Sequence, residues 1–331
     1  MPLRVAEDKV FYSIPLARSI RELGRISGVS HSTAKRIIDC LSRRGKLVPV
    51  FNDEYFGFTR VIFLGPRNKR PGSLPYGSLI FMNFSSPLSG HSMVIGYVPR
   101  VLSTLYVSAL LEIFGDGEAI VARDVAYWLP VEKTRDLAST SIIRFAENIE
   151  GILPRFARRE PLKMPDSLDL AFLTGKLYYG PYARAWEIVK KFKHALKQFP
   201  PTYQVASYHY RLHFLPGWIY TTYLEKRDPN EAPRVVLLLK GKESDRVARA
   251  MAMLPFGGVA YIGNSVSLYV GQPEVKYLQE IYDLAHAYRV ELQEGIQFVR
   301  EEVELEIPHL WRFLDQEGER WSWVEERVRV P

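Results

Sequence analysis

His209 and His213 stand four residues apart, one helical turn, the spacing at which two imidazoles can hold a zinc ion. The glutamate of a His-Glu-x-x-His motif does not accompany them, and no obvious third ligand lies nearby in the chain. Packing or phosphate contact is therefore the preferred reading of the pair, and neither a metal nor a cofactor is expected. The second resource is positive charge: Lys35, Arg36, Arg43, Arg44 and Lys46 crowd one short stretch, and Arg67, Lys69 and Arg70 follow in a loop. Lys and Arg at that density suit phosphate. Enzyme signatures are missing: there is no Gly-x-Ser-x-Gly, no P-loop and no Rossmann glycine fingerprint. Phe114-Gly-Asp-Gly117 and Phe256-Gly-Gly258 precede strand-like runs and read as turns. No carboxylate pair is distinguished by spacing. Cys40 reads as a small core residue. The chain is expected not to be an enzyme.

The basic cluster sits on a helix-turn-helix pattern. Gly24 is small enough for a second helix to cross closely, and Gly28 tolerates a positive φ in the turn. Val29 is the apolar plug, and the Ser30 hydroxyl caps the following helix. Ala34, Ile37, Ile38 and Leu41 form its inward stripe. Ser30, His31, Ser32, Thr33, Lys35 and Arg36 are then expected to face duplex DNA, the first residues at base edges and the later ones at phosphates. Arg43 and Arg44 extend that surface, Gly45 ends the helix, and Lys46–Phe51 reads as the first strand of a wing.

A second helical region covers residues 161–228. Within Thr202–His213, Thr202 is a cap, Val205, Ala206 and Leu212 are expected to face inward, and Tyr203, Gln204, Ser207, Tyr208 and Arg211 are candidates for DNA contact. Lys190, Lys191, Lys193 and Lys197 add a basic face on the preceding helix. The turn glycine is missing here, so a degenerate copy kept for packing is the alternative. The aromatics Tyr178, Tyr179, Tyr182 and Trp186 could stack single-stranded bases, although their spacing suits a helical core equally well.

The chain has 331 residues, a net charge of +7 and a single cysteine. That length predicts several domains, the charge favours a polyanionic partner, and the lone cysteine forbids an internal disulfide. With no signal-peptide pattern at Met1–Lys9 and no apolar run of membrane-spanning length, a cytoplasmic protein with no membrane partner is expected. The fold class read from the patterns is α+β. A winged helix-turn-helix over 1–57 precedes an α/β module over 58–160, degenerate and ferredoxin-like. The second helical module, 161–228, is winged-helix-like, and a ferredoxin-like βαββαβ module follows over 229–309. Residues 310–331 form a tail, with Trp311, Trp321 and Trp323 suited to docking or to a self-interface. Strand, helix, hairpin, helix and strand succeed one another at 234–307. Glu118–Arg123 and Asp124–Leu129 read as the arms of a hairpin resembling that at Gly258–Val270, and the two halves read as an internal duplication.

Leu16–Phe51 resembles the helix-turn-helix of archaeal winged-helix regulators and is similar to the Lrp/AsnC family. In that family a helix-turn-helix precedes a βαββαβ module. The resemblance implies a homodimer and a small-molecule effector such as an amino acid, although no effector signature aligns to any residue here. The expected function is a sequence-specific regulator of transcription bound to double-stranded DNA. The alternatives are a protein-interaction module contacting the transcription machinery, or an RNA-binding factor.

Overall fold

The computed structural model describes residues 5–66, 70–87, 89–130, 142–147, 149, 162, 164–193, 196, 201–225, 227–228, 230–254, 258–315 and 317–331. The sequence also predicts a helix at Glu132–Asn148, a strand at Arg155–Arg159 and a linker at Pro161–Pro165; most of that helix, the strand, Pro161 and Lys163 of the linker, and Arg67, Lys69 and Lys197 fall outside the described residues. Helix and sheet are mixed in an α+β arrangement.

Three helices open the fold: α1 (Val5–Ser13), α2 (Ile20–Ser27) and α3 (His31–Arg44). Gly28 takes a φ of 69° in the α2–α3 turn, a conformation that a side chain would strain. A Cβ on Gly24 would lie 3.0 Å from the Val29 carbonyl, a tight contact that favours a small residue at the crossing. Ser30 accepts from the Thr33 amide and caps α3. Ala34, Ile37, Ile38 and Leu41 are buried against Val10, Phe11 and Leu23. Cys40, expected in this core, is exposed; the inward stripe is filled by those four residues, and position 40 lies to one side of it.

After α3 the expectation of a local wing is corrected. Strand β1 (Gly45–Phe51) does not fold back on the segment that follows it. It pairs antiparallel with β8 (Trp218–Glu225), Lys46 opposite Leu224 and Val50 opposite Tyr220. Two of the basic residues expected on DNA are thereby engaged within the chain: Arg44 with Glu225 at 3.5 Å and Lys46 with Glu304 at 3.2 Å.

The main sheet has nine strands in the order β6-β2-β5-β4-β12-β9-β11-β10-β7, every neighbouring pair antiparallel. Its first half comprises β2 (Phe58–Pro66), β4 (Ser78–Ser85), β5 (Gly90–Pro99) and β6 (Glu118–Ala122). Its second half comprises β9 (Val235–Lys240), β10 (Gly258–Ile262), β11 (Val266–Gly271) and β12 (Glu291–Glu304). Each half places its fourth strand beside its first and its third beside its second. In the second half α9 (Ser244–Ala252) and α10 (Lys276–Ala287) lie between strands as βαββαβ requires; in the first, α4 (Ser103–Phe114) takes the later helix's place.

The expected hairpin at 118–129 does not form. Strand β7 (Asp124–Tyr127) follows β6 after Arg123 alone, too short a link for the two to pair. Instead β6 pairs with β2 and β7 with β10, at opposite ends of the strand order. The Arg123 amide donates to the Ile262 carbonyl, so the two ends of the sheet meet.

Strand β9 shows how the sheet is buried. Val235, Leu237 and Leu239 pack towards α9 and α10, while Val236 and Leu238 pack with Ile62, Met82 and Ile95 from the first half. Burial on both faces removes the apolar–polar alternation of a half-exposed strand. The tail returns along its own chain: β13 (Arg327–Arg329) pairs with β3 (Ser73–Pro75), and Trp311, Trp321 and Trp323 pack on the largest core. Among the described residues no helix is long and apolar enough to cross a membrane.

Candidate metal centre

Between the halves lie α5 (Ile142–Glu147), α6 (Ser167–Tyr179), α7 (Ala185–Lys191) and α8 (Tyr203–His209). Helix α6 starts with a reciprocal cap. Asp166 accepts from the amides of Leu168 and Asp169 at 2.9 Å, and Asp169 accepts from the Asp166 amide at 3.3 Å. The apolar run Leu170–Leu173 then drives the helix into the core and carries Asp169 inward with it, leaving that carboxylate 2% exposed. A buried carboxylate needs partners.

They come from α8. Thr202 accepts from the Val205 amide to begin this helix, which passes at Tyr210–Phe214 into a π-helical turn. Such turns recur at functional sites. His209 and His213 project towards α6. Nδ1 of His209 lies 3.3 Å from Asp169 Oδ1 and 3.2 Å from Asp166 Oδ2, and Nδ1 of His213 lies 3.4 Å from Asp169 Oδ2. The imidazole centroids are 4.6 Å apart, and the ring of exposed Tyr208 stands edge-on to both. One ligand atom each from Asp169, His209 and His213 lies within 4.8 Å of the other two.

The hydrogen bond to Asp169 raises the His209 pKa, favouring its charged form. Burial, joined by the charge of Asp169, raises that of Asp166. The candidate third ligand that sequence spacing does not reveal is thus Asp169, 40 residues upstream of His209. Acids at positions 166 and 169 ahead of an apolar run are the signature of a capping box, and that was the available signal.

The neighbouring contacts correct the expected orientation of α8. Ala206 faces inward, but Val205 and Leu212 are exposed, because Ala206, His209, His213 and Phe214 occupy the face towards α6. Tyr203, Gln204, Tyr208 and Arg211 are exposed, Ser207 is half-buried, and Arg211 Nε donates to the Ser207 carbonyl. On α3, His31, Ser32, Lys35, Arg36 and Arg43 are exposed and Thr33 is half-buried. Ser32, Lys35, Arg36 and Arg43 line a shallow groove with Asp39 and Cys40. The Ser30 hydroxyl is taken up by the cap and by contacts with Ser32 and Thr33.

Further along α6, Lys176 is fully buried. Its Nζ donates to the carbonyls of Pro181 and Ala183 at 2.7 and 2.6 Å and lies over the rings of Trp218 and Tyr210. Burial lowers its pKa to about 7.

No protein-family profile matches the chain, and no curated protein does. Two solved structures align with 93% of it: the siroheme decarboxylase NirDL, and the same enzyme in complex with an iron-uroporphyrin III analogue. Each is 11% identical with a TM-score of 0.41, and 96% and 97% of those chains are covered. The expectations of a DNA-binding regulator and of a non-enzyme are corrected on this finding, because the solved structures that the chain matches are those of an enzyme.

Proposed function

We propose that the protein binds a divalent transition-metal ion through Asp169, His209 and His213. The observation that carries this reading is a carboxylate 2% exposed, with an imidazole nitrogen at 3.3 Å from one oxygen and another at 3.4 Å from the other. Two imidazoles and a carboxylate form the donor set of open zinc centres and of iron(II) sites, in which three protein ligands leave a position for water or substrate. Ligand atoms about 2.0–2.2 Å from a tetrahedral ion sit roughly 3.3–3.6 Å from one another, and the three candidate atoms, within 4.8 Å of one another, would draw in by rotation of the side chains to reach that spacing. The partial exposure of His209 and His213 gives an ion a path of entry. Lewis-acid activation of a bound water is the chemistry such a centre supplies.

The matching strand orders support a finer reading in which the chain duplicates a winged helix-turn-helix followed by a ferredoxin-like unit. On that reading the second helical unit gave up its turn glycine and gained the Asp–His–His set.

Cobalt(II) tests the proposal. Full-length protein titrated with cobalt(II) develops visible d–d absorption that saturates at one ion per chain, and His213→Ala abolishes it. A spectrum indistinguishable from that of free cobalt(II), or one retained by Asp169→Asn, His209→Ala and His213→Ala alike, overturns it.

A further inference from the structure

The way α8 is held says what an ion at this centre would control. Over Tyr203–His209 only Ala206 is buried, and Tyr203, Gln204, Val205 and Tyr208 are exposed. Apolar packing therefore contributes little to this helix. Its contacts with the preceding segments include the Thr202 cap, the edge-on pair of Tyr203 with Trp186, and the contacts from His209 to Asp166 and Asp169; towards the following turn, Tyr208 stands edge-on to His213 and the Ser207 carbonyl accepts from Arg211. The five residues that follow are anchored differently: Phe214 is fully buried, and Tyr210 stacks on it and packs against Phe172. His209 and His213 lie either side of that change, one at the end of the lightly packed helix and one within the anchored turn. Both point at a carboxylate fixed in the first turn of α6.

We infer, resting on the metal reading above, that the ion is a clamp that makes the order of residues 203–209 metal-dependent. With the ion present, α8 is tied to α6 by coordinate bonds. Without it, the polar ties from this segment to the acids of α6 are hydrogen bonds from two imidazoles to Asp169 and Asp166, contacts that water can replace. The metal ligands must be free of protons at the coordinating atoms, so binding replaces these hydrogen bonds rather than adding to them. Opening of α8 in the ion-free protein would separate His209 from Asp169. Occupancy of the site and closure of the helix are therefore one event, and the exposed face of Tyr203, Val205 and Tyr208 is held in place only in the loaded state.

Hydrogen exchange read by mass spectrometry, on the full chain with and without zinc(II), tests this, alongside calorimetry of zinc binding. At free zinc a hundredfold above its dissociation constant, exchange of amides in 203–209 slows by up to about 100-fold, the factor by which binding depopulates the open form. Amides in the core strand β9 change by less than twofold. His213→Ala, whose mutated side chain lies outside the helix being read, removes both the calorimetric signal and the slowing. Zinc that binds in a His209- and His213-dependent manner yet leaves exchange over 203–209 unchanged would falsify the clamp and leave the metal site standing. Failure of zinc to bind overturns both.

Discussion

The two helical regions of this chain dispose of their polar chemistry in opposite ways. In α2–α3 the inside holds no charged side chain among the described residues: Leu23, Ala34, Ile37, Ile38 and Leu41 are buried with Ser27, whose hydroxyl donates to the Leu23 carbonyl, while Lys35, Arg36, Arg43 and Cys40 face water. In α6–α8 the inside holds Asp169 and Lys176, and His209 and His213 turn towards the buried acid, while Tyr203, Val205, Tyr208 and Leu212 face water. Charge outside is cheap and carries little structural information. Charge inside persists only with specific partners, so it marks the region where structure has been given over to something other than packing. That difference places the candidate site in the second region, although the first has the stronger sequence motif.

Three ways of breaking the comparison follow, and the largest effect comes from Lys176. Its pKa is about 7 in the folded protein against 10.5 as an ordinary lysine. Between these values the unfolded chain holds a proton that the folded chain does not. Stability contributed by this group therefore rises with pH across that window, by up to about 1.4 kcal/mol per unit, and levels off above it. Lys176→Met removes the titrating amine. In chemical denaturation at pH 7 through 10, the difference between wild type and variant moves steadily in favour of wild type. A constant difference would show that the amine remains charged in the core.

Gly24→Val tests the first region. The new side chain meets the Val29 carbonyl, and overpacking of this kind costs about 1–3 kcal/mol. The denaturation midpoint falls while metal affinity is unchanged, because α2 contributes nothing to the centre. A parallel loss of metal binding would show that the two regions are not separable. The smallest effect belongs to Ser30→Ala, expected to cost about 1 kcal/mol through loss of the α3 cap, again without effect on metal binding.

Legibility in the sequence followed the range of the interactions. Helix α6 and strand β8 carry their signals locally, in caps and apolar runs. Strand β5 went unread: Gly90, Gly96 and Pro99 punctuate it, and burial on both faces removes its alternation. Along strand β12, which begins at Glu291, a bulge with Glu294 and Gly295 in the left-handed region interrupts the alternation and hides the strand's first residues. The local turn at Arg123 suggested a hairpin, but which strands pair is decided across the molecule. The site divides the same way. His209 and His213 were evident from their spacing, whereas Asp169 reaches them only through the packing of α6 against α8.

The most direct test is a calorimetric zinc titration of the wild-type protein, of His209→Ala/His213→Ala, and of Lys35→Ala/Arg36→Ala as the counterpart in the first region. One zinc per chain should bind to the wild type and to the Lys35/Arg36 variant with equal affinity, and the histidine variant should lose at least 100-fold. Equal binding by all three proteins, or by none, would contradict the placement of the site in the second helical region.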